Sequence, residues 1–196
     1  MNIEEQKYIN EYLEQFSPLG EEVVSFLQPH VKVQRVPKAS FFLKNGDVQT
    51  HMGFVSKGLF RRFFTNEKGN DITTGFIKEN QYVTDYPSFI RQRPTKYYLQ
   101  SLEPSTVVNL PYEVIQESYA KFKKSEMQGR LIAESVLTIL SDRVESFLFL
   151  TAEERYLNFM ATNEELINRI SLTHLASFLG IERQSLSRIR KRIASK

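Results

Sequence analysis

The chain has 196 residues, 41% apolar and 25% charged, with a formal net charge of +3, enough apolar material for one generous core or two smaller ones. It contains no cysteine, which excludes disulfides, thiolate zinc sites and cysteine-held iron–sulfur clusters. No apolar run approaches the length of a membrane span and the opening MNIEEQKYINEY is too acidic for a signal peptide, so a cytoplasmic protein with no membrane partner is expected.

The opening stretch predicts a helix over about residues 3–16. Ser17-Pro18 then predicts a second helix start, with a hydroxyl cap, proline in the first turn and Glu21-Glu22 near the positive end. That helix is expected to stop before Pro29. From Val31 the texture changes. VKVQRV alternates apolar and polar residues, and short β-like runs follow, broken by KNGD (44–47), SKG (56–58) and NEKGND (66–71). Phenylalanines crowd this region, from Phe41 and Phe42 to Phe76. Short strands at such close spacing predict an antiparallel sandwich or barrel.

After Leu110 the helical pattern returns. A long helix, about 37 Å in length, is predicted between residues 125 and 150. Ala133, Leu137, Leu140, Val144 and Phe147 recur on it at alternating spacings of four and three, and Ile132, Val136 and Ile139 form a neighbouring row. One row would face the helix's own β domain and the other a twin helix across a two-fold axis. The alternative is a helix buried inside a monomer. TAEERYLNFM (151–160) reads as a shorter helix capped by Thr151, with Glu153 and Glu154 in its first turn.

The last residues are SLTHLASFLGIERQSLSRIRKRI. Residues 169–196 carry seven arginines and lysines against Glu182 alone, so the remaining chain is net acidic. A basic tail on a mildly acidic body predicts a polyanion met by the tail. The alternative, a solvated basic end, sits poorly with the ordered apolar spacing of Leu172, Leu175, Ala176 and Leu179, then Leu186, Ile189 and Ile193. That order fits two short helices joined at Gly180, crossing where Ala176 is small. Arg183, Gln184, Ser187, Arg188 and Lys191 would then point away from the packing.

With Leu172 counted first, the tail carries alanine at the fifth place and glycine at the ninth. Apolar residues stand at the fourth, eighth, tenth, fifteenth and eighteenth. This is the helix-turn-helix pattern. Together with the glycines of FFLKNGD, FVSKGLFRRF and NEKGND (Gly46, Gly58, Gly69), the chain resembles the CRP/FNR family of bacterial transcription regulators over roughly residues 20–193. The resemblance implies an α+β fold: an N-terminal antiparallel β-roll (double-stranded β-helix) with flanking helices over 1–122, a long dimerisation helix over 123–149, and a C-terminal all-α helix-turn-helix domain over 150–196. It implies a homodimer joined through the 125–150 helix, double-stranded DNA as partner, RNA polymerase as a further partner, and a regulatory ligand in the roll.

In ERQSLSRI the resemblance places Arg183, Gln184 and Arg188 where base edges are read, and Ser171 and Thr173 where phosphate is held. The chemistry agrees. Arginine can donate two hydrogen bonds to guanine and glutamine can bind adenine bidentately, while Ser171 suits both a cap and a phosphate contact. Arg190, Lys191 and Arg192 add sequence-independent attraction.

The chain departs from the family in three places. Cyclic AMP binders carry a Gly-Glu pair for the ribose and an Arg-Ser pair for the phosphate; NQYVTDYPSFIRQRPTKYYLQSL puts Thr84-Asp85 and Thr95-Lys96 there. Lys96, Arg91 or Arg93 would supply charge without the bidentate fork, so cyclic AMP is not the expected ligand and no cofactor is assigned. The β-hairpin wing after the recognition helix is missing. Glu182 also stands where Ser or Thr caps that helix. His30, His51 and His174 are isolated in sequence, so no metal site is expected. No GxSxG, GxxxxGK[ST] or HExxH motif occurs, and no catalytic residues or enzyme activity are expected. The competing reading is a small-molecule-binding module whose helical tail makes protein contacts.

Overall fold

Asn2 opens the computed structural model, which describes residues 2–195. Its side chain and Glu5 form a reciprocal capping box on helix α1 (Ile3–Glu14), which buries Ile9, Tyr12 and Leu13. The expected helix start at Ser17 does not form. Residues Ser17–Leu19 make a single 3-10 turn, and the Ser17 hydroxyl donates to the Glu14 carbonyl at 2.7 Å, closing the helix behind it rather than capping one ahead. Helix α2 (Glu21–Leu27) begins after Gly20 with Glu21 and Glu22 in its first turn.

Contacts divide the chain into two units, Met1–Arg62 with Phe76–Val136, and Phe63–Gly75 with Leu137–Lys196. The strands are β1 (Lys32–Val36), β2 (Phe41–Leu43), β3 (His51–Lys57), β4 (Phe60–Thr65), β5 (Asp71–Ile77), β6 (Tyr82–Val83), β7 (Tyr98–Ser101) and β8 (Ser105–Pro111). They form two four-stranded sheets, ordered β1-β8-β3-β6 and β2-β7-β4-β5. In the first sheet β8 pairs antiparallel with β1 and with β3, Val107 lying opposite Gln34 on one side and Val55 on the other.

Alternation along the strands builds two cores. Val36, Leu43, Val55, Phe60, Val83, Leu99 and Val107 point between the sheets and fill the roll. On the other face of the first sheet, Met52, Phe54, Val108 and Leu110 pack against α1, α2 and helix α4 (Tyr112–Lys121). A sheet covered on both faces explains why TVVNL in β8 is buried throughout. The β3–β4 turn requires glycine: Gly58 has φ +106°, and a Cβ there would lie 2.1 Å from the Ser105 hydroxyl. The chain carries a double-stranded antiparallel β-roll with flanking helices, a long helix and terminal helices, an α+β fold as expected.

Helix α5 (Lys123–Phe149) is 27 residues long. In the second unit its later turns join α6 (Ala152–Thr162), α7 (Leu172–Leu179) and α8 (Arg183–Ala194). Thr151 and Glu154 complete a capping box on α6. Ser177 of α7 ties in the hairpin between β4 and β5, accepting from the Thr73 N–H at 2.9 Å and donating to the Asp71 carbonyl at 3.1 Å. Arg143 stacks on Phe178 at 3.8 Å and on Phe147 at 4.3 Å.

The α7–α8 turn is held at Gly180, φ +70°, with the Ile181 N–H reaching back to the Ala176 carbonyl at 3.1 Å. A Cβ at 180 would sit 2.6 Å from the Phe147 ring. Gly180→Val is expected to destabilise this unit by about 2–4 kcal/mol, combining left-handed strain with overpacking. Gly180→Asn should cost less, because asparagine tolerates that conformation. Thermal unfolding of the two variants checks the order.

Candidate functional site

Helices α7 and α8 meet on the residues the spacing selects. Leu175, Ala176, Leu179, Leu186 and Ile189 are buried, and Leu172 and Ile193 are half-buried. With that stripe turned inward, Arg183, Gln184, Ser187, Arg188 and Lys191 are all exposed. At intervals of one, three and four residues they share one helix face. Arg188 lies back along the helix and donates to the Ser185 hydroxyl at 3.1 Å, and the Ser187 hydroxyl donates to the Arg183 carbonyl at 3.1 Å. Both are intrahelical bonds that an incoming acceptor can replace.

Ser171 and Thr173 are exposed at the start of α7. The Ser171 hydroxyl accepts from the His174 N–H at 3.1 Å and so works as the cap. Glu182 stands at the N-cap of α8 without a side-chain hydrogen bond, leaving its first-turn N–H groups uncapped by that residue. The remaining tail cations differ. Arg190 is exposed, whereas Arg192 pairs with Glu153 of α6, which draws part of its charge into the unit.

The second candidate cluster lies in the roll. Three of its four residues come together: Thr84, Asp85 and Thr95 are buried. Thr95 donates to the Asp85 carboxylate at 2.6 Å and accepts from the Tyr97 N–H at 3.0 Å. Thr84 donates to the Gln49 side chain at 3.1 Å, and the same oxygen accepts from the Asp85 N–H at 3.2 Å. Lys96 is exposed, as are Arg91 and Arg93, so none of the three cations anticipated for the cassette is enclosed with Asp85. The enclosed cation is Arg62. Burial lowers its pKa from the ordinary guanidinium value, opposed by Tyr97 and by Asp85, and its guanidinium lies 5.4 Å from the centre of the Tyr97 ring.

Gln49 and Arg62 are the residues that sequence reasoning missed. For Arg62 a signal existed: it stands two places after Phe60 in FRRFF, and period two puts both on the same face, the face on which Phe60 fills the roll. Gln49 precedes its strand and carried no such signal. Its side chain also donates to the His51 and Val83 carbonyls at 2.7 and 3.3 Å. Among the described residues no group of acidic or histidine side chains could hold a metal ion, and no helix is long and apolar enough to cross a membrane.

Residues 33–122 match the cyclic nucleotide-binding domain family. The chain contains a cyclic nucleotide-binding domain. That domain spans β1 to the end of α4 and therefore encloses the whole Gln49, Asp85 and Thr95 network. A sequence comparison with curated proteins gives no match. In three dimensions the chain is similar to FixK2 from Bradyrhizobium japonicum, with a TM-score of 0.75 at 11% identity, covering 84% of this chain and 85% of that one. It is also similar to a Eubacterium rectale protein of the CRP/FNR family (TM-score 0.72, 15% identity, 92% and 86% covered). A third similar structure is CLP of Xanthomonas campestris, a regulator responsive to c-di-GMP (TM-score 0.66, 16% identity, 90% and 92% covered). The cyclic nucleotide-binding domain thus sits within a chain that has the CRP/FNR fold.

Proposed function

We propose that the protein is a homodimeric, sequence-specific DNA-binding transcription regulator. The observation that carries this reading is the exposed face of α8. Arg183, Gln184, Ser187, Arg188 and Lys191 project from a helix whose opposite stripe, Leu186 and Ile189, is locked into the unit. Their chemistry is that of major-groove reading, with Arg for guanine and Gln for adenine. Ser171 and Thr173 at the start of α7 are offered to phosphate, with Lys191 and Arg190 adding sequence-independent attraction. Arg192, already paired, contributes less. RNA polymerase is a further partner of such a regulator.

The test is selection of bound fragments from a random duplex pool, followed by titration of the winner against a scrambled duplex over a salt series. Enrichment of a two-fold-related site, with affinity falling steeply as salt rises, is the expected outcome. Salt-insensitive, sequence-blind association would instead favour a ligand-binding module whose tail contacts protein.

The roll is proposed to hold a regulatory ligand other than cyclic AMP. Asp85 has its acceptor engaged by Thr95 and the cassette lysine is turned to solvent, so the bidentate phosphate clamp is missing. A site of micromolar affinity would be stabilised by about 4 kcal/mol at 1 mM ligand. No shift of the unfolding midpoint is expected with 1 mM cyclic AMP.

A further inference from the structure

A cavity of about 70 Å³ lies in the first unit, outside the roll. Met52 and Leu110 line it from the helix-covered face of the first sheet, Tyr12 and Phe16 from α1 and the turn after it, and Ser118 and Tyr119 from α4. Ser125, Gln128, Gly129 and Ile132 of α5 complete it. Ile90, 48% exposed, and Gln116 stand at its mouth.

Three features distinguish it from a packing defect. The Ser125 hydroxyl is enclosed without a hydrogen-bond partner, on a residue only 4% exposed; an orphaned buried hydroxyl is costly and calls for an occupant. The phenols of Tyr12, Tyr82 and Tyr119 also line this space. Burial pushes the latter two up to about 12 and Tyr12 further still, so all three remain protonated donors at neutral pH. Finally, among the described residues no charged side chain lines the cavity. A buried ion would find no counter-charge there.

These features select the ligand. Donors without a cation favour a neutral acceptor, and the aromatic and aliphatic walls favour an apolar frame. The volume is below the roughly 150 Å³ that admits benzene, which limits the enclosed part to about six non-hydrogen atoms. We propose that this cavity binds a small uncharged molecule carrying a carbonyl on an apolar ring or short chain, separately from the pocket between the sheets. Gly129 belongs to the site's construction: a Cβ there would lie 2.5 Å from the Tyr119 ring, displacing it from the wall. The proposal stands whether or not α8 reads DNA.

Cyclopentanone is a suitable probe for the full chain, with cyclopentane lacking the acceptor and propionate adding a charge. Titration followed by NMR should shift the Tyr12, Tyr119, Met52 and Ile115 side-chain signals with cyclopentanone. Cyclopentane should bind more weakly, and propionate should leave those signals in place. Ser125→Ala is expected to weaken cyclopentanone by about 3–10-fold, the worth of one neutral hydrogen bond, while raising the unfolding midpoint of the free protein by removing the orphaned hydroxyl. Tyr12→Phe, which keeps the ring, should weaken the probe to a similar degree. If those signals stay fixed up to the solubility limit, or propionate shifts them equally, the proposal fails. It fails equally if Ser125→Ala binds as wild type, or if that variant lowers the midpoint without affecting the probe, since the hydroxyl then holds only water.

Discussion

Arg188→Ala is expected to weaken binding to the selected operator by about 5–150-fold, with binding to a scrambled duplex nearly unchanged. The magnitude is that of one bidentate base contact, about 1–3 kcal/mol of discrimination. The asymmetry follows from the helix. Arg188 is exposed and held by a single bond to Ser185, so its removal leaves the Leu186 and Ile189 packing in place. Arg183→Ala and Gln184→Ala should behave alike, each relaxing preference at a different base pair. Lys191→Ala should differ in kind: a uniform loss across sequences, and a salt slope shallower by about one phosphate contact. Arg192→Ala provides the internal contrast, because its partner Glu153 already occupies it and it should change the slope least. Fluorescence anisotropy on specific and scrambled duplexes across a salt series checks all four.

What could be read from the chain without coordinates was governed by periodicity. The stripe from Leu175 to Ile189 repeats as helices repeat, and the structure buries it. The roll was legible because strands separated by glycine turns leave a period-two trace, which β1 and β3 keep clearly. Contacts made at long sequence separation left no such trace. Nothing in the order of residues ties Ser177 to Asp71 and Thr73, or Gln49 to Thr84 and Asp85. Ser17 was misread for a related reason: serine before proline has the composition of a helix cap, but its hydroxyl turned back to the Glu14 carbonyl. The cassette positions were legible by resemblance, whereas their charge balance was not. Lys96 lies one residue after the buried Thr95 and points to solvent, while the buried cation, Arg62, comes from another strand.

The dimer makes the largest expected effect. Helix α5 buries Ser125 and Gly129 at its beginning, yet its later turns expose Leu137 (65%), Val144 (58%) and Phe149 (76%) on a single chain. Leucine and valine at that exposure, on a row that continues through Leu140 and Phe147, form the seam of a two-helix coiled coil. Leu137→Glu combined with Val144→Glu should therefore separate the protomers. The substitutions remove four burials, two from each chain, each worth about 1.5–3 kcal/mol. The dissociation constant should rise by about 10,000-fold or more, before any cost of enclosing carboxylates is counted. Because both positions are exposed within one chain, the variant should keep the wild-type circular dichroism spectrum and sediment at the 22.9 kDa of one chain. A wild type that already sediments at that mass would dispose of the dimer. Operator affinity should fall with the association, because two copies of α8 set one helical turn of DNA apart, about 34 Å, bind as a unit only while the protomers are joined. Half-site affinity should survive in the variant, and its dependence on Arg188 should persist there, separating loss of the seam from loss of the reading face.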